Sequence, residues 1–415
     1  MVKVCIITHS YPRFEGDWKA NFIESLAKAY ARQNVDVTVF VPYIVNSNLT
    51  LGTIDGVRIV KFKYLPFAWL HTIGCGNSMK ADLRMNIQDV LLMPFFLMVG
   101  TLRFSSLLRR EKFDLVHAHW AVPNSLVAII GKFFASSHAK IFSSFPGSDV
   151  TVITRLGRFG RMLAKIIAKS DYLSCNSSDL KEELVKAGFN KNKIDFVIYG
   201  VDQEKIFFSD RERAHLRHTL GISEGDTVLL LVGRFVPKKG FSTAFQSLKY
   251  IAESNKNIKL LVVGDGPLKG EYLSILRKNH TEPFVIFAGE VPTQALVQYY
   301  SACDIFLMPS QRLPSDGLNV VVPEAMACGR AIVASNAGGN DLVVFHGVNG
   351  YLHDENDPQQ LAEFVIKLIE RPELAKEMGQ NSLKLIRERF NWDTIARYYL
   401  ERFHEIASIK DGQKG

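Results

Sequence analysis

Short, continuous apolar runs alternate along the chain with longer segments in which apolar residues recur every three or four positions. The short runs are typical of strands buried on both faces of a parallel sheet, and the longer segments, such as 22–33, are typical of amphipathic helices. Because the two patterns alternate almost throughout, the sequence predicts an α/β fold. The predicted strands are Val2–Thr8, Val35–Val41, Ile59–Phe62, Leu115–Ala118, Ala139–Ser143, Tyr172–Cys175, Val228–Val232, Leu260–Val263, Val285–Phe287, Ile305–Met308 and Ala331–Ala334.

The alternation is interrupted near the middle of the chain by a turn-like segment followed by a charged patch at 209–218. A chain of 415 residues exceeds what one hydrophobic core usually serves, so we predict two domains. Residues 1–200 would form a first Rossmann-like, doubly wound domain and residues 201–390 a second, followed by a helix at 392–409. Ligands of such sheets bind outside the carboxyl ends of the strands, so we expect the functional site there, in a cleft between the two domains.

Composition indicates the charge of a partner and the cellular compartment of the protein. The formal net charge of +8 indicates an anionic partner, whether a nucleotide, a nucleic acid or a membrane surface, and does not choose among them. The five cysteines form no C-x-x-C pair, and several lie in apolar segments, so we predict buried thiols in a reducing compartment and a cytoplasmic location.

No segment is predicted to target or cross a membrane. The first apolar run is too short for a signal peptide and continues directly into a strand pattern. The most apolar segment, Val90–Leu102, is shorter than the roughly twenty residues that a spanning helix needs, and it contains Pro94 and Gly100. We therefore expect it in the core or at an interface.

One stretch, Pro309–Gly339, holds two carboxylates, Asp316 and Glu324, joined by an apolar run that is typical of the start of a helix. On a continuous helix these two positions would lie on one face about 12 Å apart, so that one long ligand would contact both. The free backbone N–H groups after Asp316 would suit a phosphate. The alternative is an ordinary amphipathic helix with two solvated acids.

Two glycine-containing loops follow predicted strands in the second half. In GRFVPKKG (233–240), Arg234 and Lys239 would converge on a diphosphate, Arg as a forked donor and Lys as a compact charge. The loop is not a Walker motif, because its last glycine is followed by phenylalanine, and a basic surface turn is the alternative interpretation. The turn GDGP (264–267) would bring backbone close to a flat ligand such as a base, although it is also a favourable turn sequence.

The first half offers fewer candidate residues. Gly16 follows the first strand, where a residue without a Cβ permits close approach of backbone to a ligand. His117 and His119 end another strand and share one face. With an ordinary pKa near 6.5 either would polarise a hydroxyl, and we select His119, which lies nearer the predicted cleft; a histidine packed into the sheet is the alternative. Neither a D-x-D pair nor zinc-type ligand spacing occurs, so no metal site is predicted.

Taken in order, these motifs resemble those of the family 4 retaining glycosyltransferases, which have the GT-B fold. The resemblance covers nearly the whole chain and depends on the combination of SYPRFEGDWKANF, HAHW, FPGSDV, YGVD, VGRFVPKKG, VGDGP and D-x7-E with EAMACGRAIVASNAGG. It implies two Rossmann-like domains facing across a cleft, with the last helix crossing back onto the first. It also implies transfer of a hexose from a sugar nucleotide to an acceptor hydroxyl, with retention of configuration and with neither a metal nor another cofactor.

The resemblance also implies roles for matching positions. Arg234 and Lys239 would bind the donor diphosphate and stabilise its charge, Glu324 would bind the ribose hydroxyls, and Asp316 would face the transferred sugar. The implied donor-binding residues are Gly16, Arg234, Lys239, Gly264, Gly266, Asp316, Gly317, Leu318, Asn319, Val320 and Glu324. The implied catalytic residues are His119, Asp316, Arg234 and Lys239, with His119 and Asp149 on the acceptor side. We expect a UDP-sugar rather than a GDP-sugar as donor, and a glycan or glycolipid acceptor.

Three positions depart from the family pattern. Asp316 stands where most members have glutamate, which shortens the reach of the carboxylate by one methylene. Pro323 precedes Glu324 and is expected to kink the helix, so that the 12 Å spacing is only approximate. Pro146 stands where many members have the histidine of a His-Gly-x-Asp motif, so its role is either lost or taken by His119.

Residues 155–169 (RLGRFGRMLAKIIAK) contain five basic residues and no acid. On one helix the basic residues would fall within one arc opposite apolar residues, which is the pattern of a helix lying on anionic lipid. A helix packed on the sheet with a solvated basic face is the alternative. We expect peripheral attachment to the inner face of the cell membrane, near a lipid-linked acceptor.

Two other functions are compatible with part of the sequence. A sugar-nucleotide epimerase would share the general architecture but lacks the combination of GRFVPKKG with D-x7-E. A basic polyanion binder would explain the charge alone, and because the aromatic stacking motifs of nucleic-acid modules are missing, we expect no nucleic-acid partner.

Overall fold

The computed structural model describes residues 1–14, 17, 20–44, 53–74, 79–80, 84–312 and 317–411. The chain forms two compact units. The first comprises Met1–Asn176, Leu180–Val197 and Trp392–Gly415, and the second comprises Ser177–Asp179 and Ile198–Asn391. The main division therefore falls after Val197, three residues before the predicted boundary, and residues 177–179 group with the second unit.

The strands occur at the predicted places, usually within two residues of the predicted ends, together with five short strands that were not predicted. The strands are β1 (Lys3–Ile7), β2 (Asp36–Pro42), β3 (Thr53–Ile54), β4 (Val57–Phe62), β5 (Met79–Lys80), β6 (Arg84–Met85), β7 (Leu115–His119), β8 (Lys140–Phe145), β9 (Tyr172–Cys175), β10 (Ile194–Phe196), β11 (Thr227–Val232), β12 (Ile258–Val263), β13 (Val285–Gly289), β14 (Ile305–Met308), β15 (Ala331–Ser335) and β16 (Gly350–His353).

Helices connect most of the parallel strands. They are α1 (Asn21–Arg32), α2 (Ile87–Arg110), α3 (Ala121–Ala135), α4 (Ser148–Arg155), α5 (Gly157–Ile167), α6 (Ser178–Lys186), α7 (Asp210–Thr219), α8 (Phe241–Ser254), α9 (Lys269–Asn279), α10 (Leu296–Ala302), α11 (Val321–Ala327), α12 (Pro358–Glu370), α13 (Pro372–Glu388) and α14 (Trp392–Asp411). Their starts follow local rules: Asp357 Oδ1 accepts hydrogen bonds from the backbone N–H groups of Gln359 (3.0 Å) and Gln360 (2.9 Å), and Pro358 occupies the first helical position.

The sheet of the first unit has the strand order β10-β9-β8-β7-β1-β2-β4-β3. Every neighbouring pair is parallel except β3 with β4. Helices α2 and α3 cover one part of this sheet and bury Phe40, Phe62 and Phe104 in one cluster. A second cluster around Phe145 and Leu173 lies under α4, α5 and α6.

The sheet of the second unit is entirely parallel, with the order β13-β12-β11-β14-β15-β16. The chain builds outward from β11 in one direction and then returns to build outward from β14 in the other. The neighbouring strands β11 and β14 therefore form a topological switch point, where open α/β sheets leave room for a ligand beyond the carboxyl ends of the strands.

Helix α14 belongs to the first unit, onto which the final helix was expected to return. Its Tyr399 hydroxyl lies 3.3 Å from Ser144 Oγ and 3.2 Å from Ser174 Oγ. Arg32 Nη2 of α1 lies 2.7 Å from Asp393 Oδ1 at the start of α14. Contacts with β8, β9 and α1 thus hold α14 on the first unit.

Two segments of the first unit form helices with other bounds than expected, and the single helix expected at 155–169 was wrong. The segment 90–102 belongs to α2, which by length and composition alone is long and apolar enough to cross a membrane, with 39% of its most apolar window buried. Residues 155–169 do not form one helix, because α4 ends at Arg155 and α5 begins at Gly157. Arg155 therefore does not share a helical face with the basic residues that follow it. Cys75 lies outside the described residues, and the other four cysteines are buried, as predicted.

Candidate functional site

The loops that follow β11 and β14 meet at the switch point of the second unit. Gly240 has φ +62°, and a Cβ at this position would lie 1.8 Å from the carbonyl oxygen of Pro309. The Gln311 backbone N–H donates to the Lys238 carbonyl oxygen over 2.9 Å. The close approach requires glycine and brings the predicted basic loop against the start of the predicted donor stretch.

Lys239 and Asn319, eighty positions apart in the chain, are brought into direct contact here. The Lys239 ammonium donates to Asn319 Oδ1, and Asn319 Nδ2 donates to Ser310 Oγ over 2.9 Å. Asn319 is buried, so its amide has a fixed orientation. Arg234 lies on the same loop as Lys239 and its side chain is exposed. The structure therefore brings together Lys239 and Asn319, two of the residues predicted to bind the sugar donor, and places Arg234 on the same loop as Lys239.

Glu324 lies on α11 and is half-buried. Its Oε2 accepts a hydrogen bond from the hydroxyl of the fully buried Tyr300 over 2.7 Å. Burial raises the pKa of Glu324 to about 7, although the bond from Tyr300 acts in the opposite direction. This carboxyl group thus titrates near neutral pH. Tyr300 was not predicted, because nothing in its local sequence, which is an apolar helix, links it to Glu324.

The expected continuous helix between the two acids is wrong. Helix α11 begins only at Val321, and Gly317–Asn319 precede it without regular secondary structure. The expected kink is also wrong, because Pro323 lies in the first turn of α11, where backbone N–H groups have no partner within the helix. Asp316 lies outside the described residues, so the spacing of about 12 Å, which assumed one helix, does not apply.

The segment between Gly317 and α11 offers backbone donors. The N–H groups of Leu318, Asn319, Val320 and Val321 make no hydrogen bond within the part of the chain that the structure describes. Gly317, Leu318 and Asn319 are buried, whereas Val320 is exposed. These amides follow Asp316 in the chain, as the resemblance implied for phosphate contacts.

Gly264 and Gly266 pack against the basic loop rather than standing open. A Cβ on Gly264 would lie 2.0 Å from the carbonyl oxygen of Gly233, and one on Gly266 would lie 2.8 Å from the backbone nitrogen of Phe235. The Phe235 N–H donates to the Asp265 carbonyl oxygen over 2.9 Å. Contact between the two loops accounts for both glycines, which hold the loop of Arg234 and Lys239 in place.

The two histidines of β7 share one strand face, as alternation predicted, with ring centroids 4.1 Å apart. His117 Nδ1 lies 3.1 Å from the Tyr30 hydroxyl and its Nε2 lies 2.9 Å from Ser144 Oγ. His119 is 2% exposed, and among the described residues neither of its ring nitrogens has a hydrogen-bond partner. Burial lowers the pKa of His119 to about 3, so this ring is neutral at physiological pH.

Asp149 is buried at the start of α4. Its Oδ2 accepts from the Ala121 backbone N–H over 2.7 Å, and its Oδ1 accepts from the Gly147 backbone N–H over 3.3 Å. Burial raises the pKa of Asp149 to about 7, against the effect of these backbone donors. The carboxyl group therefore joins the turns that follow β7 and β8.

Asp149 also lines a cavity of about 60 Å³ within the first unit. His9, Asp89 and Trp120 contribute to its wall, and the rings of His9 and Trp120 lie with their centroids 4.8 Å apart. Sequence reasoning missed these three residues, since they come from separate loops and a helix. Gly16 lies outside the described residues. In the described part of the chain no group of three or more His, Cys, Asp or Glu side chains is arranged to hold a metal ion.

Comparison with solved structures identifies the fold. The Anabaena protein HepE in complex with UDP has a TM-score of 0.69, with 19% sequence identity over 98% of this chain and 100% of that chain. This likeness shows that the two Rossmann-like units have the GT-B fold, as predicted.

Family comparisons identify the particular family. Residues 212–385 match the family described as Glycosyl transferases group 1, and residues 20–205 match Glycosyltransferase Family 4. The chain belongs to these group 1, family 4 glycosyltransferases, which confirms the resemblance inferred from the motifs.

Two characterised relatives illustrate the range of the family. The chain is 27% identical to N-acetyl-alpha-D-glucosaminyl L-malate synthase of Bacillus anthracis over 80% of this chain and 85% of that protein. It is also 27% identical to the GDP-mannose-dependent alpha-(1-6)-phosphatidylinositol monomannoside mannosyltransferase of Mycobacterium tuberculosis, over 71% of this chain and 76% of that protein. Their names show that relatives at this level of identity differ in the sugar and in the molecule to which it is joined.

Proposed function

We propose that this glycosyltransferase moves a hexose from a nucleotide-diphosphate sugar to a hydroxyl group of a glycan or glycolipid, with retention of configuration and without a metal ion. The observation that carries the proposal is the contact between Lys239 and Asn319 across the switch point. It places a fixed cation beside the backbone amides that open α11, where a diphosphate would be neutralised.

Charge on the leaving group is the main chemical problem of the reaction. When the bond between the anomeric carbon and the diphosphate oxygen breaks, negative charge develops on the departing nucleoside diphosphate. Lys239 and the exposed Arg234 are two of the three cations of this loop, and close backbone contacts hold the loop in place. The acceptor oxygen would form its bond on the same face of the sugar, and its proton would pass to the departing phosphate oxygen.

Glu324 would accept hydrogen bonds from the two ribose hydroxyls of the donor. Tyr300 orients the carboxyl group from the buried side, which leaves its other oxygen for the ligand. The ionised form offers acceptors for both hydroxyls, whereas the protonated form competes as a donor. Because the pKa of this group is raised to about 7, donor binding would strengthen as pH rises through neutrality.

The base of the donor is proposed to be uracil, because HepE was solved with UDP. The name of the Mycobacterium tuberculosis relative, which uses GDP-mannose, makes guanine the alternative to test. On the acceptor side, His119 and Asp149 are the proposed residues; Asp149 lines the cavity beside Trp120, an aromatic surface of the kind on which sugars pack.

The test is a panel of UDP-sugars and GDP-sugars, scored by release of nucleoside diphosphate and by thermal stabilisation of the protein. We expect stabilisation and turnover with a UDP-sugar, unchanged by a chelator, and loss of turnover in Glu324→Ala. Isomerised sugar formed from donor alone would indicate an epimerase instead. An intact rate in both Glu324→Ala and Lys239→Ala would refute the proposed site, and inversion at the anomeric carbon, seen by NMR of the product, would refute retention.

A further inference from the structure

The longest helix of the first unit, α2, exposes an apolar stripe to solvent. Ile87, Leu91, Phe95, Met98 and Leu102 are each between 47% and 76% exposed. With an advance of 100° per residue, these positions lie within an arc of about 80° and extend over about 22 Å. Large apolar side chains on a soluble surface are usually scattered, and a contiguous stripe marks an interaction surface.

The opposite face of α2 is part of the core. Phe96 and Phe104 are buried in the cluster that contains Phe40 and Phe62, and Gly100 lies against the Phe62 ring. A helix that crossed a bilayer would have to withdraw these side chains from the core. Helix α2 therefore lies along the first unit, with one face fixed and one face open.

Neighbouring helices extend the exposed surface. Helix α2 packs along α3, and α3 contacts α5. Phe133 and Phe134 at the end of α3 are exposed, as are Phe159 and Met162 on α5. We call the exposed side chains of α2, α3 and α5 together the docking face. The exposure of Phe159 places an aromatic ring among the basic residues of α5.

The charge on the docking face has one sign. Helices α2, α3 and α5 contain a single acidic residue, Asp89, and it is buried. The exposed charges are all basic, with Arg109 in line with the apolar stripe of α2, and Arg158 and Arg161 on α5. Two copies of such a face would repel one another in a symmetric dimer, in which the same patch meets itself. An anionic surface that also accepts apolar side chains fits both features.

We propose that the docking face binds an anionic lipid bilayer, with the apolar stripe of α2 at the boundary between headgroups and acyl chains and the basic residues on the headgroup phosphates. This assigns the insertion to α2, whereas the sequence alone had pointed to residues 155–169. Asp89 and Met93, which line the cavity of the first unit, lie on the opposite face of α2 from the stripe. If the proposed function holds, the bilayer would also present a lipid-linked acceptor to the enzyme; the binding itself does not depend on the reaction.

The test uses the full-length protein and vesicles of phosphatidylcholine, either alone or mixed with phosphatidylglycerol. We expect co-flotation with the anionic vesicles only, weakened by salt. In Leu91→Glu/Met98→Glu the affinity should fall by about tenfold or more for each position. In Arg158→Gln/Arg161→Gln/Lys165→Gln it should fall by about fivefold for each charge.

Matched changes on the second unit serve as controls. Phe207→Glu/Val348→Glu replaces two exposed apolar residues, and Lys384→Gln/Arg387→Gln/Arg389→Gln removes three exposed charges. Both controls should bind as the parent does, and unchanged melting temperatures should show that all variants fold.

Several outcomes would overturn the proposal. These are equal binding to neutral and anionic vesicles, unaltered binding by the α2 variant, or retention of the protein in vesicles after alkaline carbonate extraction. A change from dimer to monomer in the α2 variant, with vesicle binding intact, would show instead that the stripe covers a second copy. Release of nucleoside diphosphate, measured without vesicles, reports separately on the proposed reaction.

Discussion

Replacing Tyr300 by phenylalanine removes the hydroxyl that donates to Glu324 Oε2 over 2.7 Å, while keeping the buried ring that lies beside Phe306. That bond favours the ionised carboxylate, so its loss raises the pKa of Glu324 further above about 7. A hydrogen bond to a charged group contributes about 1.5–3 kcal/mol, which corresponds to a rise of about one to two pKa units.

The expected result follows from the ionised fraction. At pH 7 about half of the Glu324 carboxyl groups are ionised in the parent, and in Tyr300→Phe the fraction falls to about a tenth or less. If ionised Glu324 holds the ribose, affinity for the nucleoside diphosphate should fall by about fivefold or more at pH 7 and recover at pH 9. The acid limb of the kcat/KM profile should move to higher pH by about one to two units, the expected rise in the pKa of Glu324.

The assay is calorimetric titration with UDP and with GDP from pH 6 to pH 9, repeated as a kcat/KM profile with the donor that the panel identifies. Tyr299→Phe is the control, because Tyr299 is the preceding residue on α10 and its hydroxyl does not bond to Glu324. A uniform loss at every pH, or an acid limb that stays in place, would show that Tyr300 does not set the ionisation of Glu324 and would refute this reasoning.

Three further predictions concern separate features. Lys239→Ala should lower kcat/KM by about 10- to 100-fold, because a cation beside the leaving group is lost, whereas Lys238→Ala should change it little. Gly221→Ala, at φ +64° in open space, should lower the free energy of unfolding by about 1 kcal/mol. Gly240→Ala, at φ +62° and against the carbonyl oxygen of Pro309, should lower it by at least twice as much, as measured by urea unfolding. Equal losses in the two variants would refute the close contact at Gly240. Because burial lowers the pKa of His119 to about 3, only the unfolded chain gains a proton at this residue between pH 6.5 and 3, so the free energy of unfolding decreases as pH is lowered. His119→Phe should remove about 2 kcal/mol of that decrease at pH 5. An unchanged pH dependence of stability in this variant would contradict the prediction.

The order of elements was predictable from the sequence because burial on both faces imposes continuous apolar runs. Strands such as Tyr172–Cys175 and Ile305–Met308 were predicted at their observed bounds. The short strands β10 and β16 were not, since three or four residues of mixed polarity show no period, and pairing with a neighbouring strand decides their conformation.

Part of the candidate site was likewise encoded locally. Glycines after a strand mark places where backbone must turn or approach closely, which is why the loop of Arg234 and Lys239 stood out. Its contact with Asn319 and the Tyr300–Glu324 pair depend on β11 lying beside β14, and strand order leaves no local pattern. The same limit applies to the start of α11: the helical pattern continued to Asp316, whereas in the folded chain the helix begins at Val321.

The sequence by itself determined the class of this protein, because its motifs occur in one order over nearly the whole chain. The tertiary structure decided which of those residues meet, and which apolar residues stay outside. The apolar pattern of α2 is the same whether a side chain faces the sheet or the solvent, and only packing against α3 and the sheet buries Phe96 while leaving Leu91 exposed. Periodicity predicts that a helix has an apolar face, but the fold decides what that face packs against.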